Sequence, residues 1–214
     1  AHAALKPEDG RSALDALLLS FQGIEFLREH VKEDTRLHYT VLDAGGAANA
    51  VPEKAVGSYY VRSYNTDYLK HVNKRFIDVL KGAALMTGTE VEIELEKELA
   101  AKIPVLSLND IVMDNAKLVG APVISKPREK TGSTDFGNVM YTVPGTAIRV
   151  HFVPPGTSSH SKEYLDNGKT DKAYNAIIYA AKILAGTCYD MLMDSVLFEE
   201  VRNEFKTNLE SSKK

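Results

Sequence analysis

The sequence predicts an α/β (α+β) chain in two parts. Three observations carry this. Apolar residues at helical spacing take turns with strand-like alternation through residues 1–97. From residue 98 the texture changes to helices with only scraps of sheet. The length, 214 residues, suits one large or two small domains, enough for a real core. The expected domains are therefore 1–97 and 98–214.

The elements follow in order. Ser12, with Asp15 three residues on, makes a capping-box-like helix start, the Ser oxygen accepting from a free backbone N–H. Leu14, Leu17, Leu18, Phe21, Ile24 and Leu27 then recur at helical spacing. "RLHYTVLDAGG" alternates and ends in Gly45 and Gly46, so it reads as a strand. "NAVP" is a turn. "KAVGSYYVRSYN" is a second strand with Val56, Ser58, Tyr60 and Arg62 on one face. Asn65 or Thr66 caps a helix carrying Leu69, Phe76, Ile77, Leu80 and Ala84. "TGTEVEIELE" predicts a third strand with Val91, Ile93 and Leu95 inward. This α-β-β-α-β order is a ferredoxin-like β-α-β-β-α-β unit without its first strand. A sheet short of a strand has an open edge, so the chain is expected to start inside a longer domain.

In the second part, "LSLNDIVMDNAKLVG" predicts a helix, and Pro122, Pro127 and Gly132 mark a long loop. "VMYTVPG" and "AIRVHFVPPG" read as short strands. Two further helices are expected, through Ala173–Leu184 and Val196–Leu209.

Composition narrows the function. Net charge is -3 with no basic block, which argues against nucleic-acid binding, since that needs clustered Lys and Arg to displace counterions. No apolar run approaches the ~20 residues that span a bilayer, so no membrane partner is expected. The single cysteine, Cys188, excludes an internal disulfide and a Cys-based zinc site. Its helical apolar surroundings predict a buried or half-buried thiol, and a reducing cytoplasm is the expected location.

Few residues suggest chemistry. His160, in the polar loop of "GTSSHSKEYLDNG", is a candidate metal ligand or a plain surface residue. Ser133 and Thr134, in "GSTDFGNV", form a polar loop entering a strand; they could present donors to an anion or simply make a tight turn. Arg62, the only charge in "VGSYYVRSYN", could clamp a carboxylate or lie with its stem on the sheet. Asn49 reads as a turn residue, and His2 alone says little. His30, His38, His71 and His151 form no constellation and read as structural. There is no HExxH.

Taken together in order, "AHAALKPEDGRSALDA", "NAVPEKAVGSYYVRS", "GSTDFGNVMYTVPG" and "SSHSKEYLDNGKTDKAYNAIIYAAKILA" resemble the two-metal aminoacylase, carboxypeptidase and amidohydrolase family of metallopeptidases, peptidase family M-twenty. The resemblance is to its amidohydrolase subfamily and covers nearly the whole chain. It implies a βαββαβ lid, here from within its first strand, that also serves as a dimerisation domain. The rest is then the C-terminal part of an α/β catalytic domain, whose missing N-terminal half would hold most metal ligands. The implied cofactors are two divalent metal ions, zinc with manganese or cobalt as alternatives, this chain supplying about one ligand, His160. His2 matches the lid histidine that stabilises the oxyanion in a partner subunit's site. Asn49 and Arg62 match residues holding the substrate's carboxylate or tail, and Ser133 and Thr134 match a loop lining the substrate pocket. The implied reaction is hydrolysis of an amide bond in an N-acyl amino acid or dipeptide with a free carboxylate, by a homodimer. The rival expectation is a catalytically incomplete member used for dimerisation or binding.

Overall fold

The computed structural model describes residues 1–126 and 131–213, so the predicted loop marker Pro127 lies outside the described residues. The chain divides into two compact units, Ala1–Ala101 and Lys102–Lys214.

In the first unit, helix α1 spans Ala13–Arg28, and Ser12 caps it by accepting from Asp15 N–H at 3.2 Å. Strand β1 (Arg36–Asp43) pairs antiparallel with β2 (Val56–Arg62), with an irregularity between Val41 and Asp43. Helix α2 spans Thr66–Thr87; Asn65 is its cap, accepting from Tyr68 N–H at 2.9 Å. Gly88 ends it in the left-handed region at φ 65, where its N–H returns to Ala84 and Leu85 carbonyls.

One face of the hairpin carries Leu37, Tyr39, Tyr59 and Val61 toward the helices. Leu37 packs with Ile24, Leu27, Val72, Phe76 and Leu80. Phe21 stacks on Tyr39 with ring centroids 4.2 Å apart, and Tyr59 meets Phe76 edge-on at 5.3 Å. The Tyr59 hydroxyl is satisfied by Ser20 Oγ at 2.9 Å. This explains a departure from the predicted stripe: Ser20 is buried there, while Leu18 is 53% exposed. At the rim, Arg28 and Tyr39 both donate to Glu25, holding its carboxyl down to about 2.

The predicted third strand does not form. Residues 89–105 carry no regular secondary structure, and the sheet has two strands among the described residues. Only Ile93 of the three inward candidates packs against the core; Val91 and Leu95 are exposed. Alternation supplies strand propensity, but a strand also needs a ladder partner.

The second unit is helical: α3 (Leu106–Leu118), the short α4 (Phe136–Met140) and α5 (Lys162–Asp166), α6 (Asp171–Met193) and α7 (Ser195–Ser212). The expected strands at "VMYTVPG" and "AIRVHFVPPG" are absent among the described residues; α4 takes the start of the first. Ile103, Val105, Leu108, Ile111, Val201 and Phe205 form one core cluster, and Val112, Ala116 and Ile183 a second.

Helix α6 is apolar on two sides. Ala173, Ala176, Ile183 and Thr187 are buried. Tyr174, Ile177, Ile178, Tyr189 and Leu192 make an exposed stripe. Cys188 lies on that stripe and is exposed, correcting the expectation of a buried thiol. By length and composition α6 is also apolar enough to cross a membrane, although the sequence has no apolar run of that length.

The start of α3 is capped from another helix. Val105, at its N-cap position, offers no side-chain acceptor. Instead Glu204 of α7 accepts from Leu106 N–H at 2.7 Å, from Ser107 N–H at 2.9 Å and from Ser107 Oγ at 2.5 Å. Burial pushes the Glu204 carboxyl up, but these hydrogen bonds outweigh it and the net shift is downward. A lowered carboxyl contributes stability that is complete above its unfolded pKa and is lost as pH falls through the folded one. Glu204→Gln should therefore cost about 1 kcal/mol near neutrality, the usual worth of a cap. Urea unfolding at descending pH should show the gap to the parent narrowing below the ordinary carboxylate range. A gap that stays constant would mean that charge is not what Glu204 contributes.

Candidate active-site elements

The structure brings two of the predicted site residues together. The segment holding His2 pairs with the loop holding Asn49. Val51 N–H donates to Ala1 O at 2.9 Å, Ala3 N–H donates to Asn49 O at 3.0 Å, and His2 forms a β-bridge with Ala50. The histidine is thus set on extended backbone rather than loose at a chain end. Its Nδ1 accepts from Ala4 N–H at 3.2 Å. A neutral imidazole has one donor and one acceptor nitrogen. With Nδ1 accepting, a neutral ring carries its proton on Nε2. His2 and Asn49 are both exposed.

Arg62 is placed elsewhere. It ends β2, opposite Arg36, while the His2–Asn49 corner belongs to the loop before Val56. Six residue steps of strand lead from Val56 to Arg62, about 20 Å at the usual rise. A dipeptide or N-acyl amino acid spans only about 10 Å when extended. The His2–Asn49 corner and Arg62 thus stand at opposite ends of β2.

Ser133, Thr134 and His160 lie in the second unit. The loop of the first two opens α4 and does not enter a strand, which corrects that expectation. Thr134 Oγ1 accepts from Phe136 N–H at 3.3 Å, an ST turn that commits its hydroxyl locally. Ser133 is exposed. His160 is exposed in the turn before α5, next to Ser161, which caps that helix by accepting from Tyr164 N–H at 3.1 Å.

No group of three or more His, Cys, Asp or Glu able to hold a metal ion occurs among the described residues. A catalytic zinc centre takes about three protein ligands. The donor set described here does not make such a centre, and His160 is the single nominee for contributing to one.

The His2–Asn49 pairing and the helix-backed hairpin both belong to the first unit. Residues 1–86 match the family model described as peptidase dimerisation domain. The chain belongs to the M-twenty family of peptidases, corresponding to their C-terminal part. It is 33% identical to the Xaa-Arg dipeptidase of Mus musculus, over 98% of this chain and 49% of that protein. It is 27% identical to one of the two subunits of the p-aminobenzoyl-glutamate hydrolase of Escherichia coli, over 95% of this chain and 54% of that one. A shorter match, 36% identical, covers 44% of this chain and 22% of the indole-3-acetyl-aspartic acid hydrolase of Enterobacter agglomerans. The chain thus spans about half the length of the first two relatives. These relatives support a peptidase or amidohydrolase lineage.

Tyr60 and His38 were not among the predicted site residues. Arg62 lies over the Tyr60 ring, 5.2 Å from its centroid, and Tyr60 is paired across the ladder with His38. The alternation of β2 put Tyr60 on the face of Arg62; the pairing with His38 depends on register.

Proposed function

We propose that the whole protein is a metal-dependent amidohydrolase acting on N-acyl amino acids or dipeptides with a free carboxylate, and that this chain is its lid and the C-terminal part of its catalytic domain. The observation carrying the proposal is the His2–Asn49 corner, where Ala4 N–H occupies Nδ1 and leaves Nε2 as the donor of a neutral ring. A neutral donor held in place suits a carbonyl oxygen that gains negative charge during attack. The hydrolase names of the relatives agree with it. The α-β-β-α order seen, together with the dimerisation-domain match, supports a ferredoxin-like lid.

The separation of Arg62 from that corner supports a two-fold dimer. His2 and Asn49 of one subunit and Arg62 of another can then meet one substrate. A two-fold arrangement makes the exchange reciprocal. Arg62 contributes orientation through the substrate's carboxylate, and Ser133 and Thr134 line the pocket. A water-filled, reducing cytoplasm fits the lone cysteine. The exposed stripe of α6 is where the remaining catalytic half would pack, since an apolar helix face is normally covered.

The metals, two divalent ions with zinc preferred over manganese or cobalt, are held mostly by residues outside this chain, His160 being its contribution. In the complete protein, His160→Ala should lower both bound metal and turnover. The 214-residue chain alone should bind zinc weakly and hydrolyse nothing. Unchanged metal content in the variant removes His160 from the site, and a tight calorimetric site on the chain alone reveals ligands outside this reading. A complete protein that neither binds metal nor hydrolyses acyl amino acids would instead be a dimerisation or binding module.

A further inference from the structure

The outer face of the hairpin carries Arg36, His38 and Thr40 opposite Arg62, Tyr60 and Ser58. The two arginines face each other across the ladder, an unfavourable pairing of like charges. They resolve it by parting. Arg36 turns off the sheet and donates to the Glu33 carbonyl at 2.6 Å and the Thr35 carbonyl at 2.8 Å. Arg62 instead folds back along its own strand over the Tyr60 ring.

Tyr60 is the direct cross-strand partner of His38, so Arg62 and His38 both neighbour Tyr60 on the outer face. No salt bridge among the described residues engages Arg62. A guanidinium near an aromatic ring keeps a planar fork of N–H groups available for a carboxylate. We infer that His38, Tyr60 and Arg62 form a carboxylate platform: Arg62 binds the free carboxylate of an acyl amino acid or dipeptide, Tyr60 positions Arg62, and His38 supplies a second donor. The inference rests on the reading above that Arg62 meets the substrate's carboxylate, and it assigns roles to two residues outside it. Charge complementarity selects the occupant: around Arg62 the face presents cations and neutral donors, and its one acid, Asp43, lies at the other end of the ladder opposite Val56.

The test is an NMR titration of the 214-residue chain with N-acetyl-L-alanine and with its amide, following the Arg62 side-chain N–H and the His38 ring. Binding is thereby separated from catalysis. The acid should give saturable shifts at both residues and bind at least about tenfold more tightly than the amide, as a charge-assisted pair allows. Tyr60→Leu should weaken the acid by about two- to fivefold, the worth of an exposed cation–π contact. Tyr60→Phe should restore it, because the ring and not the hydroxyl holds Arg62. His38→Ala should weaken the acid and leave the amide unchanged, while Thr40→Ala should change neither. Absence of saturable shifts with the parent, or equal binding of acid and amide, overturns the platform. If Arg62→Gln abolishes the acid's advantage while Tyr60→Leu and His38→Ala preserve it, the platform falls and the role of Arg62 stands. If all three variants preserve the advantage, both readings fall.

Discussion

His2→Ala in the complete enzyme is expected to lower kcat by about 10²–10³-fold, the usual cost of losing one oxyanion donor. Substrate affinity should change little, since the interaction strengthens only as charge develops. Stability should stay within about 0.5 kcal/mol, as for other exposed side chains outside special features. The pairing of Ala1 and Ala3 with Val51 and Asn49 uses main-chain groups only, so the alanine variant keeps it. What it loses is a ring whose Nδ1 is occupied by Ala4 N–H. His2→Gln offers a donor without that imidazole anchor and should recover only part of the rate. Complementation then tests the dimer argument. A His2→Ala subunit mixed with a subunit lacking its metal site should regain a fraction of parental activity, because one of the two sites would again be whole. Mixed dimers that form and stay inactive would mean that His2 works within its own chain or not in catalysis at all. A fall in Tm parallel to the fall in kcat would assign the loss to folding.

The parts of this chain that were legible in the sequence are those decided within a few residues. Ser12 and Asn65 cap helices because a short oxygen-bearing side chain reaches the free N–H groups just ahead of it. The alternation of β1 and β2 put Ser58, Tyr60 and Arg62 on one face, and the ladder keeps them there. Where a partner decides, local pattern was not enough. "TGTEVEIELE" has the composition of a strand and pairs with none among the described residues. The cap on α3 comes from Glu204, about a hundred positions away along the chain, and no window around Val105 could show it. Cys188 sits in a helix with two apolar sides, so periodicity could not tell which side meets the core. The site divides in the same way. His2 drew attention by resemblance, but its anchoring to Ala4 and its bridge to Ala50 are properties of the fold. The distance between that corner and Arg62 follows from strand geometry once the order of loop and strand is known.

Gly186→Ala is expected to destabilise the second unit by about 2–4 kcal/mol, although alanine is the better helix former by about 1 kcal/mol. The reason lies at the crossing of α3 and α6. A Cβ at 186 would overlap the Asn115 side-chain oxygen and come within 2.9 Å of its Cγ. Asn115 cannot step aside cheaply. It is 5% exposed, and its Nδ2 donates to Asp190 at 2.6 Å and to the Ile111 carbonyl at 3.1 Å. Displacing it would leave buried polar groups without partners, at roughly 1–3 kcal/mol. Gly82→Ala, within α2, provides the opposite case: a Cβ there meets nothing within 4 Å. That change should stabilise by about 0.5–1 kcal/mol through propensity alone. Asn115→Ala should itself be destabilising, but in its background the extra methyl at 186 has room. Gly186→Ala should then be neutral or slightly favourable, giving a strong coupling between the two positions. Amide hydrogen exchange in α3 and α6 is the suitable measurement, because it reports the second unit separately from the first. Faster exchange there in Gly186→Ala, abolished in the double variant, is the expected pattern. Equal losses in both backgrounds would show that the glycine serves something other than the close approach of Asn115.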